Sequence, residues 1–354
     1  MRFMIAYILR RLAYSLLVMI LVVCTITSII FLTPVDPAQL TFGQRSDVST
    51  VKAKTAELGL DQPLYVQLLR YLSDISPVSM LELTPENQRK HSYIALFKTS
   101  EHGALVLKKP YLRESYQSGR PVTEMLAEAI PNTVLLAGLA MLLATIFGIF
   151  FGVVAALRPH TVWDHSISVL SVFGYSLPSY VAAILLALVF GYALGEWTGL
   201  DIQGSLFVLD DFGDWQLRWR NILLPAIALG MRPVALIAQL TRSAMLEVLS
   251  QDFVRTAKAK GLPSRRVIAR HALRNAMNPI VSAISGWFAA LLTGAFFVES
   301  VFNFKGLGSV TITALLNFDI PVVLGCVLFT SLVFAAVNLL TDLLYGWLDP
   351  RVTL

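Results

Sequence analysis

Six runs of mainly apolar residues, each about as long as a bilayer-crossing helix, constrain this chain more than any other feature. They are Leu9 to Phe31, Thr133 to Leu157, Ile167 to Leu194, Ile222 to Leu246, Pro279 to Val298 and Pro321 to Leu344. A helix rises 1.5 Å per residue, so about 20 such residues cross a hydrocarbon layer of ~30 Å. Lipid offers backbone N–H and C=O groups no water, and helices satisfy those groups internally. Charged residues make up 14% of the chain and hydrophobic ones 56%, whereas an ordinary soluble domain is roughly one quarter charged. The expectation is an all-α polytopic membrane protein with six transmembrane helices. The first run opens on Arg10 and Arg11, as a signal peptide would, but it is too long and lacks a small-residue cleavage pattern.

Orientation follows the Lys and Arg residues of the short loops. Arg2, Arg10 and Arg11 place the N-terminus in the cytoplasm, and six crossings return the C-terminus there. The connection Leu249 to Asn278 carries seven basic residues against the one acid Asp252, and falls inside. The loop Gly195 to Asn221 carries Glu196, Asp201, Asp210, Asp211 and Asp214 against Arg218 and Arg220, and falls outside. The net charge of +5 therefore reflects topology rather than nucleic-acid binding, since the basic residues flank apolar segments. Three regions result: 1–31, the N-terminus and first span; 32–130, a long external loop region; and 131–354, a five-helix core with a cytoplasmic loop at 248–278. Within the external region, Glu57 to Leu72 has helical spacing and Pro121 to Ile130 reads as a short helix opening on Pro. Pro77 to Lys109 has no clear period and reads as an inserted loop or hairpin.

The segment Ser243 to Pro279, SAMLEVLSQDFVRTAKAKGLPSRRVIARHALRNAMNP, holds the densest signal. A helix is expected to end at Gly261, where positive φ suits a C-cap, and Leu262-Pro263 prevents its continuation. Ser264 is placed to cap a second helix. The product is a basic helix-turn-helix elbow between two spans. Composition alone is equally served by an ordinary positive-inside loop, while tethering between spans argues against a DNA-binding elbow.

RTAKAKG followed by RVIARHALRN resembles the coupling loop of permease subunits in bacterial binding-protein-dependent ABC importers, most closely the first, B-type permease of the dipeptide, oligopeptide and nickel group. In the family pattern a Glu-Ala-Ala triplet precedes the Gly by three residues, and Ile, one residue, then Leu-Pro follow. Here Arg255-Thr256-Ala257 stands at the triplet, Gly261 at the glycine, His271 at the isoleucine and Leu273-Arg274 at the Leu-Pro. The departures match the variant loop of the peptide and nickel group. LGLDQPLYVQLLRYL, SGRPVTEMLAEAIPNTVLLA, SLPSYVAAILLAL, LTRSAMLEVL, ESVFNFKGLG and YGWLDPRV also resemble family stretches, in order along the chain. ESVFNFKGLG carries Phe304-Lys305 where many members carry Trp-Pro, and Thr33 to Ala38 departs from a common Gly-Asp-Pro form.

The resemblance implies a type I ABC importer permease fold in a bacterial cytoplasmic membrane, with di- or oligopeptides as substrate and nickel or another small solute as the alternative. It implies a second related permease forming a heterodimer, two cytoplasmic ATPase subunits and an extracytoplasmic peptide-binding protein. The elbow would rest on an ATPase: Gly261 for the turn, Ala257 for close approach, Leu262 as an apolar anchor, and Lys258, Lys260, Arg265 and Arg266 toward acidic groups. Arg255, Thr256, His271 and Leu273 complete the coupling set.

The chain has no P-loop and no H-E-x-x-H motif, so no catalytic residue, cofactor or metal ligand is assigned. The five histidines are not at ligand spacing and read as solvated loop residues. Arg232, ten residues into the fourth span, is the candidate for the translocation path, because ionisable groups at membrane depth are functional by default. Its alternative is a pairing with an acid or carbonyl inside the bundle. Two other classes stay open here. An ion-coupled secondary transporter would show inverted repeats and midplane acids, and a membrane sensor would use the external region as its input.

Overall fold

The protein is described by a computed structural model, which describes residues 2–32, 61–82, 84, 87, 93–98, 103–210 and 212–348. Thr33 to Ala38 and the beginning of the Glu57 to Leu72 pattern lie outside them.

The elements in chain order are α1 Arg2–Leu32, α2 Leu64–Ile75, β1 Val78–Glu82, β2 Ile94–Lys98, β3 Gly103–Leu107, α3 Val122–Leu157 and α4 Val162–Ser176. Next come α5 Ser179–Leu186, continued by a π-helical stretch Ala187–Ala193, then α6 Gly195–Thr198, β4 Phe207–Leu209, β5 Trp215–Leu217 and α7 Arg220–Leu249. The chain ends with α8 Asp252–Ala259, α9 Ser264–Arg266, a second π-helical stretch Val267–Leu273, α10 Arg274–Gly294, α11 Phe296–Val301, α12 Leu307–Leu316 and α13 Ile320–Leu348. The architecture is helical, with two small antiparallel sheets that the all-α expectation did not contain.

By length and composition, α3, α7 and the Ile320–Thr341 part of α13 suffice to cross a membrane, and α4 with the α5 segment makes a fourth if the bent pair is one span. Ala13–Ile29 within α1 is apolar but shorter. The expected single span Ile167 to Leu194 is instead two helices meeting at 105°. The cause is Leu177-Pro178: Pro has no N–H to donate and drives the residue before it out of the helical region, and Leu177 is extended at ψ 125. Val169, Leu170, Val172 and Phe173 on α4 are exposed. Such an apolar surface suits lipid better than water.

The chain divides into two compact units. The first comprises Met1–Ile8, Ile130–Ser309 and Val333–Leu354. Its centre is α7, of whose most apolar window 67% is buried against 33% for α3. Leu136, Ala137, Ala140 and Ala144 of α3 and Ala226, Leu229 and Ile237 of α7 share one core with Phe302 and Phe304. The close approach of α3 to α7 rests on Gly148 and Gly152, four residues apart. A Cβ at Gly148 would meet the Ile237 side chain at 2.7 Å, and one at Gly152 would lie 2.6 Å from the Ala238 carbonyl oxygen. This is the small-xxx-small device by which membrane helices gain packing contacts. Between α4 and α7, the Asp164 carboxylate, almost fully buried, holds Arg242 through two bonds, one of 2.8 Å from Nη2 to Oδ2.

The second unit comprises Leu9–Ala129 and Val310–Leu332. Pro63 stands at the N-cap of α2, so that helix begins at Leu64, after the turn at Asp61-Gln62, and runs to Ile75. The Pro121 to Ile130 helix is not separate, because α3 continues unbroken through Pro131. Pro77 to Lys109, which shows no period in sequence, contains a three-stranded antiparallel sheet of order β1-β3-β2. The carboxylate of Asp319, 4% exposed, accepts from the Ser115 hydroxyl and the Tyr116 N–H, and so fixes the chain before α3 to the chain before α13. Arg113 donates to Asp74 at 2.8 Å and lies over the Tyr71 ring. Burial pushes the Tyr71 hydroxyl well above its ordinary range.

Candidate functional site

The elbow is built between the ends of two helices, α7 and α10. Gln251 at the N-cap of α8 is extended, and Asp252 in the first turn complements the helix dipole. Val254 and Ala257, three apart, put one face of α8 inside, while Arg255, Thr256 and Lys258 stay exposed. The end of α8 is a Schellman motif. Gly261 takes φ +74, its N–H donates to the Lys258 carbonyl, and the Leu262 N–H reaches back to the Ala257 carbonyl at 3.4 Å. Nothing lies within 4 Å of a Cβ built on Gly261. Its requirement is therefore conformational, not steric.

Pro263, not Ser264, stands at the N-cap of α9, with no side-chain cap bond. Pro fixes φ at helical values and spends no N–H there. The chain then runs through the π-helical stretch into α10 with no break at Leu273-Arg274. His271 is half-buried on that stretch and His165 lies in α4, so neither is a loop residue.

Val254, Ala257, Val267, Ala272 and Ala276 form one cluster with Ala156 of α3 and Met245 and Val248 of α7. Leu262 and Leu273 pack against it. Ala257 and Leu262 thus turn inward, and the large apolar side chain that the elbow leaves exposed among the described residues is Phe253, at 39%. The cationic face consists of Arg255, Lys258, Lys260, Arg265 and Arg266, all exposed. Arg255 lies 3.5 Å from Asp252, and the other four have no ion-pair partner among the described residues. The elbow is thus packed onto both α3 and α7 through one buried apolar cluster.

Arg232 stands apart from the elbow on α7, partly exposed, with its guanidinium over the Tyr175 ring of α4 at 5.2 Å. Its Nε is buried without a hydrogen-bond partner among the described residues. The acid or carbonyl of the alternative reading is not found there.

A third feature lies in ESVFNFKGLG. Glu299, 0% exposed, accepts from the Thr133 hydroxyl at 2.8 Å on Oε1 and from the N–H groups of Gly308 at 2.7 Å and Ser309 at 3.2 Å on Oε2. Thr133 Oγ1 in turn accepts from the Leu307 N–H, and Asn132 donates to the Lys305 carbonyl at 2.6 Å. The loop 302–309 is thereby clamped to α3. A Cβ at Gly306 would overlap the Glu299 carboxylate and one at Gly308 would overlap the Phe296 backbone, which explains the Gly-x-Gly. Phe304 is fully buried. A buried carboxylate with no cationic partner among the described residues has no periodicity signal; the short stretch Glu299 to Gly308 is its trace in sequence.

Residues 148–354 match the family model described as binding-protein-dependent transport system inner membrane component, and residues 4–137 match its N-terminal companion. The chain is 33% identical to the di/tripeptide transport system permease protein DppB of Pseudomonas aeruginosa, covering 99% of both chains. To the dipeptide transport system permease protein DppB of Escherichia coli it is 34% identical, again over 99% of both. Among solved structures, the inward-facing MetNI methionine ABC transporter aligns with TM-score 0.50 at 14% identity, over 64% of this chain and 97% of that one. This is likeness of fold. The chain belongs to the family of binding-protein-dependent transport system inner membrane components, as a multi-pass ABC permease subunit that carries no enzyme activity of its own.

Proposed function

We propose that this permease forms half of the translocation path of an ATP-driven importer of di- and oligopeptides. The observation carrying the substrate is identity of 33–34% across 99% of relatives named for dipeptide and di/tripeptide transport. The reading follows those names rather than nickel. It places six spans across the cytoplasmic membrane with both termini inside, and takes 32–130 as an external region and 131–354 as the core. A second related permease completes a heterodimer, two ATPase subunits sit beneath, and a peptide-binding protein delivers substrate from outside.

The elbow is the coupling element in this reading. Arg255, Thr256, Lys258, Lys260, Gly261, Arg265 and Arg266 face the ATPase with Phe253, while Ala257, Leu262 and Leu273 pack in the cluster shared with α3 and α7 and His271 stands half-buried beside them. Closure of the ATPases would swing the helix ends as a unit, biasing a two-state bundle. The exposed cations would contribute about 0 to 1 kcal/mol per pair, so an apolar anchor carries more of the contact.

Arg232 is assigned to the path, where its guanidinium would meet a peptide carboxylate. Uptake of a labelled dipeptide into cells that rely on this system tests both claims. Wild type is expected to restore uptake and Arg232→Met to raise the half-saturating concentration about tenfold, the worth of one lost charge-assisted hydrogen bond. Uptake unchanged by Arg232→Met would remove Arg232 from the path, and no uptake of any di- or tripeptide by wild type would remove the peptide assignment.

A further inference from the structure

Arg232 is held in place without its charge being neutralised. A charged group inside a helix bundle ordinarily meets an opposite charge or a carbonyl, and for an arginine either partner occupies N–H groups that could otherwise bind substrate. Arg232 makes no ion pair and no hydrogen bond among the described residues, and its Nε is buried without an acceptor. What it meets is a ring face. Its guanidinium carbon lies 5.2 Å from the centroid of Tyr175, within the reach of a cation–π attraction. That attraction consumes no N–H group, so the charge and the donors of Arg232 stay available.

The ring is itself placed by the packing of α4 on α7. One residue before it, a Cβ built on Gly174 would lie 3.7 Å from the Ala235 Cβ and 3.8 Å from the Met231 carbonyl oxygen, so the α4 backbone lies close against α7 at the level of Arg232. At the other end of α4, Arg242 of α7 donates to Asp164 at 2.8 Å. Two ties on one helix pair set where Tyr175 stands relative to Arg232. The chain then leaves α4 at Leu177-Pro178, and the following helix departs at 105°. A break within an apolar run is tolerated where protein buries it or where it lines a water-filled cavity. Tyr175, two residues before the break, is 47% exposed.

We propose that Tyr175 is a positioning residue for substrate recognition: its ring holds the Arg232 guanidinium in one orientation while leaving the N–H groups free for a peptide carboxylate. The inference rests on the assignment of Arg232 to the translocation path. An unrestrained arginine carries large rotamer entropy that binding must remove, and restraint in advance lowers that cost. An acid at position 175 would restrain the side chain equally but would occupy the donors that a carboxylate needs. The face of the ring performs this role, so its hydroxyl is dispensable.

The test is concentration-dependent uptake of labelled Ala-Ala into cells that rely on this importer, with the unfolding midpoint of each purified variant in detergent as a check on the fold. Tyr175→Phe keeps the ring and is expected to stay within about twofold of wild type. Tyr175→Leu, or Tyr175→Met should the first not fold, is expected to raise the half-saturating concentration about fivefold with the maximal rate unchanged. In an Arg232→Met background, Tyr175→Leu should add nothing, because a residue that acts through another has no effect once the other is gone. A folded Tyr175→Leu protein with wild-type uptake overturns the proposal. So does a loss in Tyr175→Phe as large as in Tyr175→Leu, or an effect of Tyr175→Leu that persists undiminished beside Arg232→Met, which would mark a merely structural role. If Arg232→Met weakens uptake and Tyr175→Leu does not, the path assignment stands and this inference alone falls; if Arg232→Met has no effect, both fall together.

Discussion

Replacing Glu299 by Ala is expected to destabilise the permease by about 3 to 5 kcal/mol, measured as the shift of the unfolding midpoint in detergent. The carboxylate is fully buried and takes three donors: the Thr133 hydroxyl and the N–H groups of Gly308 and Ser309. Each donor stranded in a dry interior costs roughly 1 to 3 kcal/mol, with more where a charged acceptor is lost, and the void adds a cavity cost. Gln at the same place keeps the volume and one acceptor oxygen, but sets an NH2 against a donor. Glu299→Gln should therefore lose about half as much. Equal losses for Ala and Gln would mean the charge is essential; no loss for Ala would mean the loop 302–309 is held by Phe302 and Phe304 alone.

The second large effect is expected at Gly152. Val there would drive its side chain into Thr241, whose Cβ lies 2.5 Å from a Cβ built on Gly152, and into the Ala238 carbonyl at 2.6 Å. Backbone cannot move aside as a side chain end can, so α3 and α7 must separate. Overpacking typically costs 1 to 3 kcal/mol, and with a carbonyl in the way the loss should be at least about 3 kcal/mol. The midpoint shift of Gly152→Val checks it, with Gly138→Val as a control at a position where nothing lies within 4 Å. If both behave alike, the tight approach of α3 to α7 is not needed for stability.

The two effects lie at opposite ends of what sequence makes legible. Apolar runs gave the long helices, because hydrophobic length is a local property that survives any tertiary arrangement. The elbow was legible too: Gly261 and Pro263 impose local backbone conformations, and a Schellman motif followed by a new helix needs nothing from elsewhere. The break at Leu177-Pro178 was equally local, yet an apolar run on both sides hides a 105° bend. The sheet β1-β3-β2 had no period because its register includes a bulge at Ala95/Phe97 and its apolar residues stand on both faces. Which face of the elbow turns inward, and hence that Leu262 packs within while Phe253 is exposed, depends on α3 and α7. Glu299 has two donors close by in the chain, Gly308 and Ser309, but the Thr133 hydroxyl that ties it to α3 is 166 residues away, where spacing carries no information. Gly148 and Gly152 do form a readable pattern, but it names a packing face only once the partner helix is known.

The central claim is that the elbow carries force between a partner ATPase and the bundle. The direct measurement is co-purification of the ATPase subunits with tagged wild-type chain and with Gly261→Asp, in which the φ +74 turn becomes strained and an anion enters the cationic face. The account predicts stable association for wild type and at least a tenfold loss for the variant, as two charge contacts and a displaced turn imply, with an unchanged unfolding midpoint for the rest of the chain. Association that is equal in both, or absent for wild type while the protein remains folded, would contradict it.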